Sequence, residues 1–186
     1  MSAMKLLPTS LAGLTVIETA PISDERGSFV RVFCQDELAI LRPDLHFPQI
    51  NLSITQQRGT VRGMHFQRPP AAEAKLIRCV RGRVFDVAVD LRVNSATYLH
   101  WHAVELDANA SLQVFIPEGF AHGFQALSDD VQLIYMHTAR WSREHEGTLR
   151  HDDPTLAIVW PLPVLHISAK DRSAPLIDDD FAGIHA

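Results

Sequence analysis

The chain is 186 residues long, with 46% hydrophobic residues, 21% charged residues and a formal net charge of −5. This balance fits one globular domain spanning residues 1–186 with a buried core. The lack of any Lys/Arg block argues against a nucleic acid or an anionic membrane as partner. Cys34 and Cys79 form no CxxC pair, and the first ten residues lack the apolar core of a signal peptide. No apolar run approaches the roughly 20 residues of a membrane span, so a cytoplasmic protein with reduced thiols is expected.

In chain order, Leu14–Ile17 reads as a first strand, and Asp24-Glu25-Arg26-Gly27 as a polar turn before a strand over Ser28–Phe33. Gln35–Leu41, stopped by Pro43, is the best helix candidate. Gln49–Thr55 is a strand, and Arg58-Gly59 turns the chain into another at Val61–Phe66. The clearest hairpin signal is Lys75–Val80, a turn at Arg81-Gly82, then Arg83–Leu91. In its second arm Phe85, Val87, Val89 and Leu91 share one face, and Val84, Asp86, Ala88 and Asp90 the other. Leu99–Leu106, Ser111–Ile116 and Val131–Thr138 supply further strands, and Pro117–His122 reads as a turn with a glycine pivot. After Asp152-Asp153-Pro154 the proline-punctuated tail is expected to pack against the body of the protein. Short runs separated by turns about every 8–12 residues define an all-β protein, here a cupin-like jelly-roll barrel with a few short helices.

The residues that narrow function most are Arg62-Gly63-Met64-His65-Phe66-Gln67, then Lys75, then Tyr135. An imidazole, an ammonium and a phenol suit proton abstraction beside a carbonyl: a base, a cation for the enolate oxygen, and an acid to return a proton. On strand parity His65 shares a face with Val61, Gly63 and Gln67, and Arg62 points away unless Gly63 marks a bulge. Taken singly, each has an ordinary explanation. Tyr135 and Trp141 could be core rings, Arg26 a solvated turn charge, Asp171 a surface carboxylate, and Lys75 a strand-end charge.

Pro117-x-Gly119-x-x-His122 is similar to the second metal motif of cupins, whose first motif adds two histidines and a glutamate. Here the matching stretch gives His65, Gln67 and Lys75. A lysine cation is electrostatically wrong beside a divalent metal. His100 and His102 share a face, but Glu105 has the wrong parity to join them. Neither a metal nor another cofactor is expected.

Taken together, these segments resemble the dTDP-4-dehydrorhamnose 3,5-epimerase family of deoxysugar biosynthesis. The resemblance is carried by Asp24–Gly27, Gln49-x-Asn51, Arg62–Gln67, Lys75–Arg78, Val80–Asp90, Ile116–Phe124, Tyr135 with Thr138, and Ser168-Ala169-Lys170-Asp171, in order from about Gly13 to Asp171. It implies a cofactor-independent homodimer acting on a nucleotide-sugar, dTDP-linked by analogy. The family pattern implies that His65 is the base, oriented by Asp171, that Lys75 steadies the enolate, and that Tyr135 donates a proton from the opposite face. Arg62 and His122 would hold the sugar or its phosphates. Arg26, Gln49, Asn51, Glu146 and Lys170 would bind the nucleotide-sugar, with Trp141 stacked on the base. Trp141 stands where a tyrosine is usual, Ile50 where an aspartate is expected, Arg31 at a position often acidic, and Met136-His137 for a more typical Lys-Thr pair. Three alternatives stay open: a single-carbon epimerase or keto-sugar isomerase of the same family, a cupin that only binds a sugar nucleotide, and a metal-dependent cupin oxygenase.

Overall fold

The computed structural model describes residues 4–185. Among them, strands β1 (Met4–Pro8), β2 (Thr15–Thr19), β3 (Ile22–Asp24) and β4 (Gly27–Phe29) precede helix α1 (Gln35–Leu38). Then follow β5 (Gln49–Thr55), β6 (Val61–Gln67), β7 (Lys75–Arg81), β8 (Arg83–Asp90), β9 (Trp101–Asp107), β10 (Leu112–Ile116), β11 (Phe120–Ala126), β12 (Val131–His137), β13 (Glu146–Thr148) and helix α2 (Ala169–Arg172). A six-stranded sheet runs β1-β2-β10-β7-β12-β5 and a five-stranded sheet β13-β6-β11-β8-β9, while β3 and β4 pair only with each other. The two large sheets face one another as an antiparallel, cupin-like jelly roll, as the sequence pattern predicts.

Period-two patterning on strands buried on both faces creates three apolar layers. Ile77, Val114 and Leu133 of the six-stranded sheet meet Val84, Ala88, Phe120 and Phe124 of the other to fill the interior. The outer face of the five-stranded sheet, with Phe66, Val87, Val89 and Leu91, is covered by Leu156, Ile158 and Ile184 of the tail. Leu38 of α1 and Leu45 close the outer face of the six-stranded sheet over Ile17, Leu76 and Phe115. Truncating a ring such as Phe124, 1% exposed, is expected to cost about 3–5 kcal/mol. Cys79 belongs to the interior, where burial pushes its thiol up to about 11 and leaves it a packing group.

Several expectations need correction. The arms on either side of Gly82 are strands, but they do not pair. β7 joins β10 and β12, whereas β8 joins β11 and β9. Gly82, at φ +74°, turns the chain from one sheet into the other. The helix is one turn long rather than extending to Leu41, and the strand after Gly27 stops at Phe29. Pro117–Gly119 is a turn, but Phe120–His122 already belongs to β11, the centre of its sheet.

Gly63 does mark a bulge. His122 faces His65 and Phe124 faces Arg62, so Gly123 alone opposes Gly63 and Met64. Gly63 sits at φ +126°, and a Cβ there would lie 2.5 Å from the Gly123 Cα. Only glycine fits. The bulge reverses parity so that Arg62 and His65, three positions apart, both face the space between the sheets.

Candidate active site

A cavity of about 260 Å³ opens between the two large sheets. Arg62, His65 and Gln67 of β6, His122 of β11 and Glu146 of β13 form one wall. Asn51 and Ser53 of β5, Lys75 of β7, and Tyr135 and His137 of β12 form the other, with Glu73 and Trp141 from loops.

On the first wall, His65 Nε2 lies 2.7 Å from Asp171 Oδ1. Asp171 reaches it because Val61 N–H donates to the His166 carbonyl, pinning the tail beside β6, and because the Ser168 hydroxyl caps α2 at the Asp171 N–H. Burial raises the Asp171 carboxyl, but the His65 hydrogen bond and charge, with the Gly63 N–H, outweigh it and hold it below the usual carboxylate range. An ionised Asp171 accepts the Nε2–H of His65, so Nδ1 is the ring nitrogen left to accept a proton. A second pair lies deeper. His122 Nε2 is 2.8 Å from Asp86 Oδ2, and both side chains are almost fully buried.

Across the cavity, the Tyr135 ring meets His122 edge-on, with centroids 5.7 Å apart, and lies nearly parallel to His137 at 6.0 Å. Desolvation, with the nearby Asp86 charge, pushes the Tyr135 phenol well above its ordinary value, so it carries its proton at neutral pH. Lys75 Nζ lies 3.3 Å from Glu73 Oε1 and 3.4 Å from the His65 carbonyl oxygen, to which it donates. Such an arrangement has the parts for proton transfer to and from a carbon acid: a carboxylate-backed imidazole, a protonated phenol and a lysine around one cavity.

The structure therefore brings together His65, Lys75, Tyr135, Arg62, His122, Asn51, Trp141 and Glu146. Asp171 stands behind His65. Gln49 Oε1 accepts the Trp141 N–H at the rim, and Lys170 pairs with Glu146 at 2.6 Å. Arg26 does not join them: it sits on the β3–β4 hairpin, 85% exposed, bound to Asp24. Gln67 staples two loops, donating to the Ala71 and Arg140 carbonyls and accepting from Ser142 N–H. His100 is exposed, while Glu105 is tied to Arg83. Sequence reasoning missed Asp86 and Glu73. Asp86 could have been found as a carboxylate between Val84 and Ala88, on the strand face that fills the interior. Glu73 carries no such signal, in a loop of alanines.

Two antiparallel sheets closing over a cavity with ionisable groups on both walls make a cupin-like jelly roll, and comparison with known proteins sets it among the carbohydrate epimerases. Residues 8–179 match the model of the dTDP-4-dehydrorhamnose 3,5-epimerase family, and the chain belongs to that family. A relative from Sinorhizobium fredii bearing that name is 43% identical over 167 residues, 89% of this chain and 86% of its own. A dTDP-4-dehydrorhamnose 3-epimerase from Streptomyces niveus is 40% identical, covering 94% of this chain and 84% of that one. The solved dTDP-6-deoxy-D-glucose-3,5-epimerase of Legionella pneumophila, in complex with dTDP-4-keto-L-rhamnose, superposes with a TM-score of 0.90 at 36% identity, over 98% of this chain and 99% of that one.

Proposed function

We propose that the protein converts dTDP-4-keto-6-deoxyglucose to dTDP-4-dehydrorhamnose by inverting carbons 3 and 5, in the cytoplasm, as one domain that needs neither metal nor organic cofactor. The observation that carries this reading is the opposition of His65, backed by Asp171, to Tyr135 on the other wall of one cavity. The ketone at carbon 4 acidifies the protons on carbons 3 and 5. His65 Nδ1 takes one, the enolate oxygen turns to the Lys75 ammonium, and Tyr135 returns a proton to the far face of the planar carbon. A base and an acid on the same wall would only put the proton back where it came from. The 3-epimerase relative keeps a single-carbon outcome as the second reading.

Around the cavity, Trp141 is 56% exposed and open to stacking on a nucleobase, while the Glu146–Lys170 pair and Arg62 offer charge to the sugar and diphosphate. Arg26 reaches a site of this kind only from a second copy. The β3–β4 hairpin exposes Ile22 and Phe29, 74% and 75%, and the edge strand β5 exposes Ile50, Leu52 and Ile54 on one face. A homodimer in which each hairpin covers its partner's edge buries both sets and carries Arg26 across.

Incubation with dTDP-4-keto-6-deoxyglucose in D2O, followed by NMR, tests the function. Deuterium at carbons 3 and 5 of an inverted product is the expected result. Exchange and inversion at carbon 3 alone would establish the second reading, and no exchange at either carbon would remove both.

A further inference from the structure

Glu73 has no part in the chemistry above, yet it is a carboxylate on the wall of a cavity that must stabilise an enolate. A negative charge there opposes the reaction unless it serves another group. Its two oxygens are both engaged: Oε1 lies 3.3 Å from Lys75 Nζ and Oε2 lies 2.8 Å from His137 Nδ1. Lys75 and His137 are facing residues on the paired strands β7 and β12. The side chains of Glu73, Lys75 and His137 are 8%, 8% and 11% exposed. Burial raises the Glu73 carboxyl, but His137 and Lys75 together lower it below its ordinary value, so it is ionised.

Geometry then gives each member a task. Lys75 ends a flexible four-carbon stem, and its only other hydrogen bond among the described residues is to the His65 carbonyl at 3.4 Å. A side chain this buried and this flexible needs a counter-charge beside it and a fixed partner to stay in place. Glu73 supplies both. As an ionised acceptor it requires a proton on His137 Nδ1, and that bond turns half of its charge away from Lys75. His137 is itself held: its Nε2 is 3.3 Å from Asn51 Nδ2, and its ring lies against Tyr135 with 13° between the planes.

We propose that Glu73, braced by His137, is a positioning residue that holds the Lys75 ammonium where the enolate oxygen forms. The proposal rests on the epimerase reading. The bland alternative is a buried ion pair that only satisfies itself and steadies the fold. The two differ in whether Glu73 matters when Lys75 is gone.

The test is a double-mutant cycle on the full chain with dTDP-4-keto-6-deoxyglucose, reading kcat, KM and deuterium exchange, with thermal unfolding to check folding. Glu73→Gln should lower kcat and exchange ~10–100-fold, the range for residues that orient a functional group, with KM within about threefold. In a Lys75→Met background the same change should cost nothing, or restore some activity, because the carboxylate left there only repels the enolate. His137→Phe keeps the ring beside Tyr135 and removes the donor. It should lower kcat by less, and again only where Lys75 is present, so the proposal stays testable if Glu73→Gln does not fold. An equal proportional loss with and without Lys75, for either change, would overturn it, as would wild-type kcat in Glu73→Gln. A wild-type protein that shows no exchange would instead defeat the epimerase reading, and this proposal with it.

Discussion

The two walls of the cavity handle charge differently. On the five-stranded sheet each of the two histidines that line the cavity has its own carboxylate, His65 with Asp171 and His122 with Asp86. On the six-stranded sheet one carboxylate, Glu73, is shared by the cation Lys75 and by His137. A private carboxylate fixes a tautomer and raises the basicity of the free nitrogen, as a proton-abstracting group requires. A shared one holds a cation while keeping its own field low, as an anion-stabilising group requires. On the proposed mechanism the walls are specialised: one receives a proton, the other meets the charge and returns a proton.

The contrast breaks most readily at His65. His65→Ala should lower both exchange and inversion by ~10²–10⁴-fold, the usual contribution of a general base. Near-normal turnover in this variant would remove the base from the first wall. Asp171→Asn should cost roughly 10–100-fold in kcat, since it leaves the imidazole in place but frees its tautomer. The same change carries a stability signature. Because the folded Asp171 carboxyl lies below its unfolded value, its contribution is present above about pH 4 and is lost as pH falls through the folded value. Denaturant unfolding should therefore show wild type and Asp171→Asn converging toward low pH; a gap that widens in acid would contradict the pairing.

Smaller effects are expected away from the two walls. Arg26→Ala should raise KM several-fold, by about the strength of one exposed charge-assisted contact, and leave kcat nearly unchanged. Light scattering on the same sample should give a dimer. A strictly monomeric, fully active protein at micromolar concentration would instead leave Arg26 as a solvated turn charge. A chelator should have no effect on turnover, and activity lost to EDTA and regained with one divalent ion would put a metal where Lys75 is read as the cation.

Where local pattern decides structure, the sequence was readable. β5 has the predicted bounds because its alternation survives on an edge strand with one face exposed. The β7–β8 segments were legible as strands, but their partners were not. A glycine turn between strands looks the same whether the chain folds back on itself or crosses to another sheet. The choice at Gly82 is made by β10, β12, β11 and β9, all distant in sequence. β3 and β13 were missed because three residues give too little periodicity to detect, and β1 because Met4-Lys5-Leu6-Leu7-Pro8 does not alternate. Of the site residues named by type and motif, His65, Lys75, Tyr135, Arg62, His122, Asn51, Trp141 and Glu146 line one cavity, Asp171, Lys170 and Gln49 are bonded to members of that lining, and Arg26 sits apart on its hairpin. Glu73 stayed hidden because its meaning comes from Lys75 and His137, and the pairing of β7 with β12 that joins these two is long-range.

The division of labour between the walls is tested most directly by Tyr135→Phe, which keeps the ring and removes only the phenolic proton. Deuterium exchange and inversion at carbons 3 and 5 are measured on the same sample. If His65 abstracts from one wall and Tyr135 delivers from the other, exchange should persist at a reduced rate while inversion falls much further, by ~10²-fold or more. Exchange and inversion falling in equal proportion would contradict the account.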